Sequence, residues 1–370
     1  MKRILLITIA FLMINNVSAD LDGYNCYKEI ILTGNTSGAQ TDYQILLNIS
    51  YEENMSSDFN DLRFTRADGT TLIDAWLESK VDNSYALVWV EFPTTPANTV
   101  EQTYYMYYGN AGVMSEWDIG ETFLFGDDFE SGNLNAWGGA TSAYATVGAA
   151  AYEGNYGCDR TQADDSWEFL VGASDIQNGV WEMWIKPIHA SGYPHIKTRY
   201  LNDDNYVEFK IQSNVDEIII TDIGGTGSYS ETLATTGIWY FMRATLNDTS
   251  ATLQVYDTSM SLLQTVNALV TDRTDAHGFS CYRDAQFDTY RVRKYVANPA
   301  TYAFGAESCE EEEEDISGLT TINFYYPHNN TTTDIKYISN DGYNVTTSNY
   351  LSAENLSVVI IKDQIVSEDI

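Results

Sequence analysis

Apolar and polar side chains alternate along most of this chain, and this period of two constrains the fold more than any other feature. Val207, Phe209 and Ile211, for example, alternate with Glu208 and Lys210. Because successive side chains of a strand point to opposite faces of a sheet, this pattern is typical of strands with one buried face. Clusters of Gly, Asn, Asp and Ser between the alternating segments predict turns. We therefore predict an all-β protein built from antiparallel β-sandwiches.

The first residues have the pattern of a secretory signal peptide. Basic residues at positions 2 and 3 precede an apolar run at 4–14, and small residues follow at 17–19. The run is shorter than the roughly 20 residues that a membrane-spanning helix needs. We predict a signal peptide over residues 1–19 and a mature protein that is secreted or lies at the cell surface, without membrane insertion.

Two larger β units and a short tail follow the signal peptide. We predict a β-sandwich over residues 20–118 and a larger jelly-roll sandwich over residues 119–308. The acidic run at 309–316 predicts an extended linker, because like charges repel one another. Residues 317–370 are predicted to form a small or truncated β-rich segment, since so short a stretch makes only a thin core.

The charge of the chain narrows the choice of partners. The formal net charge is −34, whereas a nucleic-acid partner requires clustered Lys and Arg to meet the phosphate backbone. We therefore exclude nucleic acid as a partner. An acidic surface suits solubility, a saline environment and calcium capture by carboxylates, but it does not identify a fold.

The four cysteines, Cys26, Cys158, Cys281 and Cys309, lack the close spacing of zinc or redox motifs. In an oxidising compartment they are most simply two disulfides. Three pairings are open from the sequence. Among them we favour Cys158 with Cys281 and Cys26 with Cys309.

Several Asn-x-Ser/Thr sequons predict surface glycosylation in a host that modifies such motifs. They begin at Asn35, Asn48, Asn54, Asn247, Asn329, Asn330, Asn344 and Asn355. They agree with export without establishing it.

Four segments of the first unit occur in a characteristic order and spacing. They are YKEIILTGNTSGAQTDYQILLNIS at 27–50, DLRFTRADGTTLIDAWLES at 61–79, ALVWVEFPTTPA at 86–97 and TYYMYYGNAG at 103–112. In these segments the unit resembles the family catalogued as domain of unknown function 2341. The resemblance implies a β-sandwich in an extracellular setting and assigns no activity.

The second unit contains an opening strand, central strands and a closing strand that together carry a second resemblance. The segments are DDFESGNLNAW at 127–137, DDNYVEFKI at 203–211, TGIWYFMRATL at 236–246 and DTYRVRKY at 288–295. In them the unit resembles the concanavalin A-like lectin and glucanase superfamily. That superfamily includes sugar-binding lectins, hydrolases and structural modules, so the fold alone does not decide the function.

The resemblance to glucanases implies a catalytic signature that this chain lacks. Such an enzyme carries an alternating Glu-x-Asp-x-Glu run, so that three carboxylates share one face of a strand. The corresponding strand at 181–186 carries Glu182 alone, which we expect on a solvent-facing side. The histidines His189, His195, His277 and His328 have no metal-binding spacing, and we expect them on the surface. We predict that the protein is not an enzyme.

Calcium is the only ion that the sequence favours, and no other cofactor is predicted. Asp127, Asp128 and Glu130 offer hard oxygen ligands at the opening strand of the second unit. Asp288 of the closing strand would join them if these two strands pair.

Sugar binding requires exposed aromatic faces, and three aromatic residues in loops or at strand ends are candidates. They are Trp167, Tyr193 and Tyr229. We therefore predict a non-catalytic surface protein that recognises a glycan or a cell-surface polymer. The alternative is a self-associating structural component of a surface layer, appendage or virion, and a polysaccharide hydrolase acting through Glu182 is the least favoured hypothesis.

Overall fold

The computed structural model describes residues 21–160, 167–225, 227–233 and 236–309, together with four short strands after residue 309. The predicted signal peptide and nearly all of the predicted acidic linker therefore lie outside the described residues. The chain forms two compact units, Met1–Cys309 and Glu310–Ile370. The all-β prediction is confirmed, because the described residues are mostly strands, with one four-residue α-helix and two three-residue 3-10 turns.

The first unit contains most of the strands and the single helix of the described residues. Its strands are β1 (Cys26–Thr33), β2 (Gln40–Ser50), β3 (Arg63–Thr65), β4 (Ala75–Val81), β5 (Tyr85–Thr95), β6 (Glu101–Tyr108), β7 (Phe125–Asp127), β8 (Gly138–Gly139), β9 (Tyr144–Val147), β10 (Gly157–Arg160), β11 (Trp167–Ile176), β12 (Gly179–Pro187), β13 (Tyr193–Asn202), β14 (Asn205–Gln212), β15 (Glu217–Ile223), β16 (Gly227–Thr232), β17 (Tyr240–Asn247), β18 (Ser250–Tyr256), β19 (Leu262–Leu269), β20 (Asp275–Tyr282), β21 (Ala285–Arg293) and β22 (Thr301–Cys309). The helix is α1 (Ile119–Thr122), and the 3-10 turns are Thr141–Ala143 and Gly148–Ala150.

The first sandwich consists of two antiparallel sheets around one apolar core. Sheet 1 has the order β22-β1-β6-β3, and sheet 2 has the order β2-β5-β4. Along β2, alternate residues from Tyr43 to Ile49 are buried in this core, and β5 contributes alternate residues from Ala86 to Phe92. The period-two pattern of the sequence thus places one face of each strand in the core and leaves the other face of sheet 2 free for a second contact.

The strand β22 corrects the predicted domain boundary. The sequence pattern predicts that residues up to 308 belong to the second sandwich, but β22 pairs with β1 and completes sheet 1 of the first sandwich. The register sets Cys26 directly opposite Cys309, and these two cysteines form a disulfide, as one of the favoured pairings predicted. The second sandwich is therefore an insertion between two strands of the first.

The other favoured pairing is wrong in this structure, where Cys158 and Cys281 are buried free thiols. Cys158 lies on β10 and Cys281 on β20, in different sheets of the second sandwich. Burial raises the pKa of both thiols, so the thiolate form that disulfide formation requires is disfavoured.

The second sandwich packs a seven-stranded sheet against an eight-stranded one. Sheet 3 has the order β19-β18-β17-β12-β21-β10-β9, with β7 paired to β21, and sheet 4 has the order β16-β15-β14-β13-β20-β11-β8. Both sheets contribute to one core, in which Trp181 and Met183 of β12 are buried with Ile196 of β13 and Phe279 of β20. The neighbouring residues of each strand therefore face away from this core.

The two sandwiches meet where the outer face of sheet 2 packs on the outer face of sheet 3. Trp76 and Trp89 of sheet 2 form an apolar cluster with Ile119 and Phe123 at α1. The guanidinium carbon of Arg291, on β21, lies 5.5 Å from the ring centre of Trp76 and 5.2 Å from that of Trp89. Cation–π contacts of this kind are strongest where water is excluded, so they favour one fixed arrangement of the two sandwiches.

The second unit is described only by its strands. β23 (Ile322–Tyr326) pairs with β24 (Thr331–Ile335), and β25 (Val359–Ile361) pairs with β26 (Gln364–Val366), both antiparallel. In the part of the chain that the structure describes, no helix is long and apolar enough to cross a membrane.

The assigned disulfide predicts which cysteines react with an alkylating reagent. In unfolded protein without reductant, Cys158 and Cys281 should be alkylated while Cys26 and Cys309 are protected, because only the latter two are bonded. Replacing Cys26 and Cys309 together by Ser should lower the free energy of unfolding by about 2–5 kcal/mol, since the disulfide closes a long loop. Peptide mass spectrometry and denaturant unfolding measure the two effects.

Reducing agent provides the control for this prediction. It should destabilise the wild-type protein and leave the Cys26→Ser/Cys309→Ser variant unchanged. Protection of all four cysteines from alkylation would contradict the assignment, because it would require a Cys158–Cys281 disulfide.

Candidate functional site

Three aromatic side chains from adjacent strands of sheet 4 form one cluster, which we call the aromatic row. Trp167 of β11 and Tyr193 of β13 are both cross-strand partners of Tyr282 on β20. The ring centres of Trp167 and Tyr282 are 5.0 Å apart, and those of Tyr193 and Tyr282 are 5.3 Å apart and nearly parallel, at 11°. Offset rings at these distances attract one another and hold each other in place.

The aromatic row lies on the outer face of sheet 4. Phe279 of β20 points into the core, and Tyr282 is three positions further along the same strand, so it points to the opposite side. Its direct cross-strand partners Trp167 and Tyr193 share that face. Trp167 is 48% exposed, whereas Tyr193 and Tyr282 are half-buried.

The structure separates the third predicted aromatic from the other two. Tyr229 lies on the edge strand β16 and pairs with Ile220, whose side chain belongs to the core. It therefore projects from the core-facing side of the sheet, opposite to the aromatic row. Of the sequence candidates, Trp167 and Tyr193 are brought together, Tyr229 is not, and Tyr282 was missed.

Charged and polar side chains continue this outer face beside the aromatic row. The register aligns Lys210, His195 and Ser280 across β14, β13 and β20. Lys197 lies two residues after His195 on β13. Its ammonium nitrogen is 4.6 Å from the ring centre of Tyr206 and 5.1 Å from that of Phe169. The outer face of sheet 4 therefore combines aromatic rings with polar side chains, and among the latter His195, Lys197 and Ser280 are buried.

Two histidines that the sequence predicts on the surface lie elsewhere. His195 and His277 are fully buried rather than on the surface. His277 lies in the core, where its Nδ1 is 2.8 Å from the hydroxyl of Tyr290, whereas His195 faces outward beneath the aromatic row, with its ring centre 5.2 Å from that of Trp167. His189 is partly exposed, and His328 lies outside the described residues.

The predicted calcium ligands accept hydrogen bonds from protein N–H groups. β7 pairs with β21, which was the condition for Asp288 to join the other ligands, but Asp127 accepts from the backbone N–H of Phe129 and from the indole N–H of Trp137. One carboxylate oxygen of Asp288 accepts the backbone N–H groups of Tyr152 and Glu153. These hydrogen bonds compensate for the burial of the two carboxylates.

The other two predicted calcium ligands are engaged in the same way. Glu130 accepts the backbone N–H groups of Asn155 and Tyr156, and Asp128 accepts the N–H of Glu130. Among the described residues, the acidic, His and Cys side chains close enough to share an ion are Glu307 and the disulfide-bonded Cys26 and Cys309. The structure thus does not bring the four predicted ligands together, and calcium binding stays a prediction.

Glu182, the carboxylate that the hydrolase hypothesis required, is not on a solvent-facing side. It is fully buried and contacts three arginines, with Oε1 at 2.6 Å from Nε of Arg243 and Oε2 at 2.8 Å from Nε of Arg291. Arg293 is the third partner, at 3.2 Å. Burial alone would raise the pKa of Glu182, but Arg293, Arg291 and Arg243 hold it well below its usual value. A carboxylate held ionised in this way cannot donate a proton as a general acid.

The glycosylation candidates can be placed only in the first unit. Asn48, Asn54 and Asn247 are exposed, and Asn35 is partly exposed. The remaining four candidates, Asn329, Asn330, Asn344 and Asn355, lie outside the described residues.

Comparison with protein families supports the resemblance predicted for the first sandwich. A family model described as a domain of unknown function, DUF2341, matches residues 58–140. The match confirms the predicted resemblance over these residues, which cover a minority of the chain and reach into the start of the second sandwich. No curated protein matches the sequence.

Comparison with solved structures returns a likeness that covers less than half of the chain. A carbohydrate-binding module, CBM66, from Bacillus subtilis aligns with 44% of this chain and 98% of its own length. The sequence identity is 11% and the TM-score is 0.36. A likeness at this level does not bear on the ligand, and the concanavalin A-like assignment of the second sandwich stays a prediction.

Removing the charge of Glu182 should destabilise the protein, because three arginines would lose their shared partner in a buried site. We expect Glu182→Gln to lower the free energy of unfolding by about 3–5 kcal/mol, measured by urea denaturation. Glu101→Gln, at an exposed carboxylate, is the matched control and should have little effect. An unchanged stability of Glu182→Gln would contradict the assigned role.

Stability should rise as the pH falls from about 8 to about 5. Burial raises the pKa of Asp288 to about 7 and of Asp127 to about 6, and burial followed by the charge of Asp42 raises the pKa of Glu91 to about 7. In the unfolded chain these groups titrate near pH 4, so between about pH 4 and 7 the folded state binds more protons. Their stabilising contribution is thus present at low pH and lost as the pH rises.

The melting temperature measured between pH 5 and pH 8 tests this dependence of stability on protonation. It should be higher at pH 5 than at pH 8, and Glu91→Gln should reduce the difference, because the amide keeps an oxygen that can accept from Gln44 without ionising. Glu101→Gln again serves as the control. A melting temperature that is higher at pH 8 would contradict the assignment.

Proposed function

We propose that this chain is a non-catalytic extracellular protein that binds carbohydrate through the outer face of sheet 4, centred on Trp167. The observation that carries the proposal is the aromatic row, in which Tyr193 and Tyr282 support a half-exposed indole ring. The C–H face of a sugar ring is apolar and flat, so it can bury its surface against such a ring.

The contact between the two sandwiches does not involve this face. The first sandwich contacts sheet 3 through Arg291, and Lys294 after β21 donates from its backbone N–H to Gln44 of β2. Sheet 4 lies on the opposite side of the second core, so its outer face points away from the contact. An exposed aromatic surface on a rigid sheet has little ordering entropy to lose when it binds a ligand.

An extracellular location is supported by two independent features. The disulfide Cys26–Cys309 is of the kind that persists in oxidising compartments. The basic and apolar segments before residue 20 have the pattern of an export signal. The arginines that enclose Glu182, the single carboxylate on the strand where a glucanase needs three, argue against the polysaccharide-hydrolase alternative.

Glycan binding is tested by an array of plant, animal and microbial glycans, probed once with calcium and once with a chelator. We expect binding to at least one glycan class, and Trp167→Ala should weaken it at least tenfold, because the indole supplies the stacking surface. Isothermal titration calorimetry with the best glycan measures the affinities.

The matched control is Tyr229→Ala, which removes an aromatic ring of similar exposure from the other side of sheet 4. It should bind as tightly as the wild type. Failure of the wild-type protein to bind any glycan under either condition would overturn the proposal, and ordered self-assembly of that protein would favour a structural role instead. Loss of binding in the chelator alone would support the predicted calcium.

A further inference from the structure

Two buried polar side chains lie directly behind the aromatic row. His195 and Ser280 are cross-strand partners on the outer face of sheet 4, one position inward from the Tyr193–Tyr282 pair on that face. Both are fully buried. His195 Nε2 and Ser280 Oγ have no hydrogen-bond partner among the described residues. Buried polar atoms without partners are rare and costly, so each requires an explanation.

The hydrogen bond on the other ring nitrogen determines what His195 Nε2 can do. Nδ1 lies 2.9 Å from the backbone carbonyl oxygen of Tyr193, and a carbonyl can only accept, so Nδ1 carries the hydrogen. Burial lowers the pKa of His195 to about 3, which keeps the ring neutral near pH 7. Nε2 is therefore a hydrogen-bond acceptor.

A second acceptor faces this nitrogen. Glu208 Oε2 lies 4.0 Å from His195 Nε2, while Glu208 Oε1 forms an ion pair with Lys210 at 2.5 Å. Two acceptors cannot bond to each other, so the gap between them is complementary to a hydrogen-bond donor. Ser280 Oγ beside His195 can donate or accept. We call these three groups the donor well, because together they are suited to receive a hydrogen-bond donor.

The aromatic row covers the donor well. The ring centre of Trp167 is 5.2 Å from that of His195, and Trp167 is the exposed member of the row. Because Trp167 lies between the donor well and the exposed surface, a ligand hydroxyl reaches these groups when the Trp167 side chain rotates and the sugar ring stacks on the turned indole.

We propose that His195, Glu208 and Ser280 select the carbohydrate by binding one hydroxyl of the sugar ring that stacks on Trp167. In this arrangement the hydroxyl shares its single hydrogen between the two acceptors, His195 Nε2 and Glu208 Oε2, in a three-centre bond, and its oxygen can accept from Ser280 Oγ. The inference rests on the proposed function, which it deepens by assigning the residues that determine specificity.

A selective polar site discriminates strongly against a ligand that lacks the matching group. When the hydroxyl is missing, the acceptors stay buried and unpaired in the complex, so the analogue is rejected by more than the value of one ordinary hydrogen bond. Stacking on Trp167, by contrast, contributes equally to every analogue. The two contributions can therefore be measured separately.

The experiment uses the best glycan from the array and its monodeoxy analogues, each with one hydroxyl replaced by hydrogen. For wild-type protein, titration calorimetry should show one analogue that binds about 10- to 100-fold more weakly than the parent, with the others within about threefold. Ser280→Ala, which removes one atom, should reduce this discrimination. Trp167→Ala should weaken all ligands by the same factor and preserve it.

Two variants test the role of His195, and each must have a melting temperature close to that of the wild-type protein. His195→Leu should bind the parent and the selected analogue equally, whereas His195→Gln retains an acceptor and should restore part of the preference. Equal binding of all analogues by wild-type protein would overturn the proposal that the donor well selects the sugar, and it would leave the proposed carbohydrate binding intact. A buried water that stays between His195 and Glu208 in the crystal structure of the glycan complex would also overturn it.

Discussion

The arrangement of the first unit depends on one buried carboxylate. Glu182 lies on the outer face of sheet 3, and Arg291 joins it to Glu78 of sheet 2, with 2.8 Å to the first and 3.0 Å to the second. An isolated charge could not be buried at this depth, but the shared arginines neutralise it and satisfy its oxygens. Because the same guanidinium also lies against the indole rings of the first sandwich, charge and shape specify the same interface.

This interface decides which surface is left for a ligand. A two-sheet sandwich has two outer faces, and the first sandwich occupies that of sheet 3 by means of Arg291 and the cluster around Trp76. The remaining broad face belongs to sheet 4, where the strands β11, β20 and β13 bring three aromatic side chains together. The position of the candidate site is therefore a consequence of how the insertion packs on its host.

Much of the fold could be predicted from the sequence because strand positions are determined locally. The alternation along β2 or β14 identifies the strand and its buried face without knowledge of its partner. Trp167 and Tyr193 could likewise be selected as candidates because aromatic residues at strand ends and in turns are frequently accessible. These properties depend on residues close together in the chain.

The rest could not be predicted, because it depends on which distant strands pair. Tyr282 joins the aromatic row only through the pairing of β20 with β11 and β13, and the same pairings bring Trp167 against His195. Glu182 gave no sign in the sequence that three arginines from other strands would surround it. The return of β22 to sheet 1 is a further long-range pairing of this kind.

The disulfide between Cys26 and Cys309 joins the first strand of the first sandwich to its last. The two cysteines are 283 residues apart in the sequence. A single backbone cleavage between them would therefore leave two fragments that stay covalently joined and separate only after the disulfide is reduced.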